Sequence, residues 1–189
     1  MICSTNRLRD ESGISLVEIM VAVAIIGVLT SMAVIQIGAV RPGMQADGAM
    51  RVVMAQLNAA RETAISQRRR VEVTFLNGYW VKVTRHNLPV GTTILSEVPF
   101  EGGVRYGLMP NVQDTPDGFG NITPVSFGAA PVVEFNTEGM LVDAGGIPVN
   151  GTVFLLIPNQ PSSFRAVTVL GSTGRVRGFR WNGGQWTRV

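Results

Sequence analysis

A single carboxylate, Glu18, lies at the start of the most apolar stretch of the chain, SGISLVEIMVAVAIIGVL. From Ile19 to Val40 there is no charged residue, and a helix of that length would be about 33 Å long, enough to cross the hydrocarbon core of a bilayer. A carboxylate facing lipid costs on the order of 2.5 to 3.5 kcal/mol at a helix centre and less near the end. Glu18 therefore requires an explanation that an apolar anchor alone does not give.

Two general explanations of the apolar stretch leave Glu18 unexplained. In a secretory signal peptide, Arg7 and Arg9 would form the basic start and cleavage would follow Ala33, but the apolar stretch continues past that position. A plain membrane anchor accounts for the length of the stretch and not for its carboxylate.

The segment GISLVEIMVAVAIIGVLTSMAV resembles the N-terminus of type IV pilins and type II secretion pseudopilins. In that family a short polar leader ends in Gly, prepilin peptidase cuts after this Gly, the new N-terminal residue is N-methylated, and the fifth mature residue is Glu. The resemblance implies a leader over residues 1–13, cleavage between Gly13 and Ile14, methylation of Ile14, and Glu18 as the fifth residue.

The resemblance also implies an assembly role for Glu18. After cleavage, Ile14 would carry a positively charged amine one helical turn from the Glu18 carboxylate, and pairing lowers the cost of both charges in lipid. In the family, the carboxylate pairs with the terminal amine of a neighbouring subunit and sets the filament register. An intramolecular pair with the amine of Ile14 is the alternative.

The composition gives no sign of catalytic, metal or cofactor chemistry. The chain has one cysteine, Cys3, and one histidine, His86, which excludes an intrachain disulfide, a cysteine-based metal site and a two-histidine site. There is no Gly-x-Ser-x-Gly motif and no phosphate-binding loop. We therefore expect a protein that is not an enzyme, with no catalytic residue, no metal and no cofactor, and with His86 as a polar surface residue.

The apolar stretch is followed by a helical segment that connects it to the rest of the chain. Pro42 and nearby glycines predict a kink or an unwound hinge, and two unrelated helices are the alternative. The stretch LNAARETAISQRRRVEV resembles the head-proximal helix and first strand of the GspH/FimT group of minor pseudopilins. Helical spacing of apolar residues supports an amphipathic helix, and the positions are Met50, Val53, Met54, Leu57, Ala60, Ala64 and Ile65.

The remainder of the chain is rich in Gly, Pro, Val, Thr and Phe and predicts an antiparallel β head. Two alternating runs flank Asn77-Gly78, a strong hairpin signal, and a long surface loop is expected over residues 110–131. The other predicted strands are Ile94–Val98, Val132–Asn136, Thr152–Ile157, Arg165–Leu170, Arg175–Trp181 and Gln185–Val189. The aromatic residues expected in the core are Trp80, Phe100, Phe135, Phe154 and Phe164.

The predicted fold is thus α+β: a long N-terminal hydrophobic helix of the type IV pilin kind, followed by an antiparallel β-sheet head. The expected segments are a leader (1–13), a transmembrane and filament-core helix (14–40), a hinge with an amphipathic helix (41–69) and a β-rich periplasmic head (70–189).

The C-terminal stretch STGRVRGFRWNGGQWTRV combines basic and aromatic residues, and no acidic residue follows Asp143. Arg175 and Arg177 would share one face of a strand, and basic groups near aromatic rings suit phosphates and stacked bases. The sequence GRVR resembles the Gly-Arg-x-Arg motif of FimT-type DNA-uptake pilins. The candidate DNA-binding residues are Arg175, Arg177, Arg180 and Arg188.

Other interpretations of these arginines remain open. The same turn and strand occur in secretion pseudopilins, so the arginines could line a solvent-exposed hairpin edge or a subunit contact. Arg68, Arg69 and Arg70 form a second basic run, which suits a solvated helix end or the binding of nucleic acid or lipid headgroups.

The resemblance to pilins and pseudopilins implies a structural subunit of a secretion or pilus filament. The expected partners are prepilin peptidase, other pseudopilins or pilins, the inner membrane and, in the alternative function, DNA. Arg7 and Arg9 favour a cytoplasmic N-terminus and a periplasmic head, since basic residues remain on the cytoplasmic side.

Overall fold

A computed structural model describes residues 13–128 and 132–189 of the chain. The chain divides after Val40 into two compact units, which are described separately below. Predictions that concern Cys3, Arg7 and Arg9 lie outside the described residues. The first unit contains the start of helix α1, Leu16–Gln67, and its apolar side chains from Leu16 to Met32 are exposed.

Within the described residues, the remaining elements are eleven strands. In chain order they are β1 Val71–Leu76, β2 Trp80–His86, β3 Thr92–Pro99, β4 Arg105–Tyr106, β5 Val125–Ser126, β6 Val132–Phe135, β7 Leu141–Val142, β8 Gly151–Ile157, β9 Gln160–Leu170, β10 Arg175–Trp181 and β11 Trp186–Arg188.

Residues 41–48 are helical although Pro42 lies among them. The prediction of an unwound hinge is therefore wrong, and a kink stays a prediction. A proline removes one helical hydrogen bond, and the following residues are held by packing: Ala46, Ala49 and Met50 are buried. Arg165 also donates a hydrogen bond to the carbonyl of Gly43.

The predicted amphipathic face of α1 is confirmed at five of its seven positions, whereas Met54 is half-buried and Ile65 is exposed. Met50, Val53, Leu57, Ala60 and Ala64 are fully buried, at the spacing of one helical face. The helix ends in a Schellman motif. Arg68 has the left-handed conformation (φ 49°) and donates to the carbonyl of Ile65, while Arg69 donates to the carbonyl of Ala64.

The strands form two antiparallel sheets with the orders β3-β2-β1-β6-β7 and β11-β10-β9-β8-β4, and β5 also pairs with β8. The predicted hairpin is confirmed, with Asn77 and Gly78 both at positive φ. Pairing of Leu76 with Trp80 makes it a three-residue loop. All other predicted strands are present. The strands β4, β5 and β7 were missed because two residues are too few to show the alternation of apolar and polar side chains that marks a strand.

The main core lies between α1 and the inner faces of both sheets. A second cluster lies on the opposite, outer face of the second sheet, because Phe164 and Ala166 of β9 alternate with Val167 and Val169 of the main core. Four of the five expected core aromatics are buried, and the exception is Trp80, which is half-buried directly after the hairpin turn.

The long loop after Pro110 is not a wholly exposed surface loop as predicted. Thr115 and Phe127 are buried, and Val125–Ser126 forms β5. Residues of this loop cover the outer face of the second sheet, since Val112 packs against the second cluster and Asn121 donates to the carbonyl of Val112.

Candidate functional site

The predicted cleavage site precedes the helix. Gly13 and Ile14 are non-helical and exposed, and Ile14 is 73% exposed. Helix α1 begins at Leu16, so Glu18 lies in its first turn and is also exposed. Ser15 lies between Ile14 and the first helical residue. Its carbonyl accepts a hydrogen bond from the amide of Ile19 at 3.2 Å, and its Oγ accepts one from the amide of Val17 at 3.3 Å.

The four C-terminal arginines differ in what they contact. Arg175 and Arg177 lie on the same face of β10, as predicted, but only Arg175 is fully exposed. Arg177 Nη1 forms an ion pair with Asp117 Oδ1 at 2.6 Å, and Thr168 Oγ1 donates to Asp117 Oδ2 at 2.6 Å. The charge of Arg177 is thus neutralised by the long loop.

Arg180 points to the other face of β10, toward α1. Its Nη2 is 2.7 Å from Asp47 Oδ2, and the other oxygen of Asp47 is 2.5 Å from Nε of Arg165. Arg165 is 2% exposed and also donates to the carbonyls of Ser162, Phe164 and Gly43. This buried guanidinium is therefore satisfied by a carboxylate and backbone oxygens, as a buried charge requires.

The tryptophans of this segment pack against other rings. Trp186 lies 5.2 Å from Trp181 and 5.1 Å from Phe164 between ring centroids, and its Nε1 donates to the carbonyl of Gln113 at 2.9 Å. Trp181 is buried. Trp181 and Trp186 therefore belong to the second cluster, in which Trp186 packs against Trp181 and Phe164.

The glycine of the GRVR segment has a structural function. Gly174 has a φ of 63°, and a Cβ at this position would overlap the carbonyl oxygen of Gly139 and lie 2.7 Å from Cδ of Arg61. Arg61 itself donates to that carbonyl at 3.2 Å. The turn before β10 therefore comes so close to α1 at Gly174 that a side chain there would overlap its neighbours.

The four candidate DNA-binding arginines thus differ in their ion pairs, and DNA binding by them stays a prediction. Among residues 13–128 and 132–189, Arg175 and Arg188 are exposed and make no ion pair, whereas Arg177 and Arg180 are paired. Asp117 and Asp47 were missed because nothing in the local sequence indicates that residues so distant in the chain meet β10.

Two further predictions have a structural outcome. Arg70 pairs with Glu134 at 3.3 Å, and Arg68 belongs to the helix cap, which fits the solvated helix end. His86 is half-buried rather than a plain surface residue. Its Nε2 lies 3.5 Å from a carboxylate oxygen of Glu72 and 3.8 Å from one of Glu134.

Across the described ranges, no group of three or more His, Cys, Asp or Glu side chains is suited to a metal ion. In the same residues, no helix combines the length and hydropathy that a membrane crossing requires.

Comparison with known proteins gives one match at the level of protein families. Residues 8–34 match the model of the prokaryotic N-terminal methylation motif. The chain carries this methylation motif. The matched segment includes Gly13, Ile14 and Glu18 with most of the apolar stretch, and no curated protein matches the chain.

Two solved structures match part of the chain at low sequence identity. The type IV minor pilin FimU of Pseudomonas aeruginosa PAO1 has 17% identity and a TM-score of 0.48, over 69% of this chain and 84% of FimU. The minor pseudopilin EpsH from the Type 2 Secretion System of Vibrio cholerae has 12% identity and a TM-score of 0.45, over 77% of this chain and 95% of EpsH. The methylation motif agrees with the resemblance of the N-terminal segment to type IV pilins and pseudopilins.

Proposed function

We propose that this chain is a minor pseudopilin or pilin subunit of a type II secretion or type IV pilus filament. Prepilin peptidase cleaves it between Gly13 and Ile14, and Ile14 becomes the methylated N-terminus. The single observation that carries the proposal is the methylation motif over residues 8–34, in which Gly13 precedes an exposed, non-helical Ile14 and Glu18 lies in the first helical turn.

The proposed location is the inner membrane, with a cytoplasmic N-terminus and a periplasmic head that enters the filament. The exposed apolar side chains from Leu16 to Met32 support burial against lipid before assembly and against neighbouring helices afterwards. The protein acts by assembly with other pilins or pseudopilins and has no catalytic activity of its own.

Intact mass of membrane-extracted protein tests the processing. We expect a chain that begins at Ile14, and Gly13→Ala should leave the leader attached. Gly27→Ala is the matched control, because this glycine lies in α1 with open space around it and should not affect cleavage. A mature chain that begins at Val34 would contradict the proposal and support a secretory signal peptide.

DNA binding is a second candidate, favoured by one observation. Arg188 pairs with Phe179 across β10 and β11, which places Arg188 on the same sheet face as exposed Arg175. Two exposed guanidinium groups on one face suit phosphates. Arg177 is not expected to contribute to DNA binding, because its charge is neutralised by the ion pair with Asp117.

Titration of labelled DNA at increasing salt tests this candidate. Replacing Arg175 and Arg188 by Gln should reduce the slope of log affinity against log salt by about two. The double variant of exposed Arg51 and Arg105 to Gln is the control and should keep the slope. Absence of binding at low salt would contradict DNA binding, because electrostatic attraction is strongest there.

A further inference from the structure

The start of α1 is set by the side chain of Ser15. The carbonyl of Ser15 accepts the first helical hydrogen bond, from the amide of Ile19, while its Oγ accepts the amide of Val17. These are the two properties of an N-cap residue, and serine is among the residues preferred there. Helix α1 accordingly begins one residue later, at Leu16.

This cap has a direct consequence for the Gly13 carbonyl. In a continuing α-helix, the amide of Val17 would donate to the carbonyl four residues earlier, which is that of Gly13. Ser15 Oγ takes this amide instead, at 3.3 Å. The Gly13–Ile14 peptide bond therefore lies outside the helix, and both of its residues are exposed.

We propose that Ser15 is a positioning residue for prepilin processing: by capping α1, it keeps the carbonyl of the scissile Gly13–Ile14 bond out of the helical hydrogen-bond ladder. The inference rests on the cleavage proposed above. Hydrolysis adds water across this bond, breaks the C–N bond, and leaves a carboxylate on Gly13 and an amine on Ile14. A carbonyl inside the ladder is less accessible, because local opening must precede attack.

The most informative substitution is Ser15→Ala. Alanine is a poor N-cap but the best helix former, and Gly13 is itself an acceptable cap two residues upstream. The cap should therefore move to Gly13 and the helix should begin at Ile14, so that the amide of Val17 donates to the Gly13 carbonyl. Carbon-13 chemical shifts of Ile14 in the detergent-solubilised full chain would show this as a change from non-helical to helical values.

Cleavage of the full chain by prepilin peptidase, followed by intact mass, provides the functional measurement. We expect Ser15→Ala to lower kcat/KM by about two- to thirty-fold, the range that corresponds to loss of a helix cap. The change should appear in KM rather than kcat, because fewer molecules have the competent conformation and those that bind react normally.

Two variants separate capping from a direct contact with the peptidase. Asparagine caps helices as well as serine but has no hydroxyl, so Ser15→Asn should restore cleavage to near the wild-type rate. Ser31→Ala removes a helical hydroxyl that only donates to the carbonyl of Val28 and should leave cleavage unchanged.

Each outcome decides between the two proposals. Cleavage of Ser15→Ala at the wild-type rate, or failure of Ser15→Asn to restore it, would overturn the role of Ser15 while leaving the processing proposal intact. If the wild-type chain is not cut between Gly13 and Ile14, the proposed function itself fails.

Discussion

Glu18 is the residue on which assembly is proposed to depend. Its carboxylate lies in the first turn of α1, four residues after the amine that cleavage would create. If it pairs with the amine of a neighbouring subunit, Glu18→Ala should spare membrane insertion and cleavage but reduce incorporation into filaments. Quantitative immunoblotting of sheared filament fractions measures this.

Glu62→Ala is a suitable control, because Glu62 is an exposed glutamate on the same helix but in the second unit. It should be incorporated normally. Wild-type incorporation of Glu18→Ala would remove the proposed assembly role and favour a plain anchor.

Gly174 is the residue whose substitution should most affect the turn before β10. Alanine at a positive φ costs roughly 1–2 kcal/mol, and at Gly174 the overlap with Gly139 and Arg61 adds about 1–3 kcal/mol. We therefore expect Gly174→Ala to lower the free energy of unfolding of the head by about 3 kcal/mol, measured by denaturant titration with tryptophan fluorescence.

Gly146 provides the matched control. It has a φ of 80° but no atom within 4 Å of a built Cβ, so Gly146→Ala should show only the backbone cost. Equal effects of the two substitutions would mean that the contacts of Gly174 with the helix do not matter.

At the level of elements, Asp47 joins α1 to β9 and β10. One carboxylate accepts hydrogen bonds from buried Arg165 and from exposed Arg180, and both contacts are shorter than 2.8 Å. The arrangement fixes where along the helix these two strands pack. It also assigns Arg180 to the helix side of the sheet, away from Arg175 and Arg177.

Removal of the Asp47 carboxylate should be costly because it leaves the guanidinium of Arg165 buried without a counter-ion. We expect Asp47→Asn to lower the free energy of unfolding by about 3–5 kcal/mol. Arg180→Gln breaks only a surface pair and should cost less than about 1 kcal/mol. Denaturant titration of both variants checks this, and similar losses would contradict a dominant role for Arg165.

At the level of the whole head, Tyr106 connects the two sheets. It belongs to β4 of the second sheet, its hydroxyl donates to the carbonyl of Trp80 in the first sheet at 2.8 Å, and its ring packs edge-on against Phe75 and Phe100. Burial raises the pKa of the Tyr106 phenol far above its ordinary value.

This shift predicts a loss of stability at alkaline pH. Above about pH 10 the unfolded state releases the phenol proton while the folded state retains it, so the free energy of unfolding should fall by about 1.4 kcal/mol per pH unit. Below that pH both states keep the proton and this contribution is constant. Denaturant titrations between pH 8 and roughly pH 11 measure the slope.

Tyr106→Phe tests the assignment. The variant should be less stable near neutral pH, because the carbonyl of Trp80 loses its hydrogen bond. It should also lack the alkaline slope that Tyr106 causes. An unchanged slope in the variant would show that another group is responsible.

The sequence by itself determined the features that depend on neighbouring residues. The spacing of Gly13 and Glu18, the apolar stretch after them, the buried face of α1 and the Asn77-Gly78 turn are all local patterns, and the last two agree with the structure. Local periodicity is reliable for such features because the same few residues create both the pattern and the structure.

Only the tertiary structure decided the character of the C-terminal arginines. Asp47 and Asp117 precede their partners Arg180 and Arg177 by 133 and 60 positions, and no local pattern reports such a distance. The C-terminal arginines are therefore equivalent in the sequence, whereas in the folded protein Arg177 and Arg180 form ion pairs. The physical reason is that strand alternation assigns a side chain to a face, but the loop or helix that packs on that face supplies its partner.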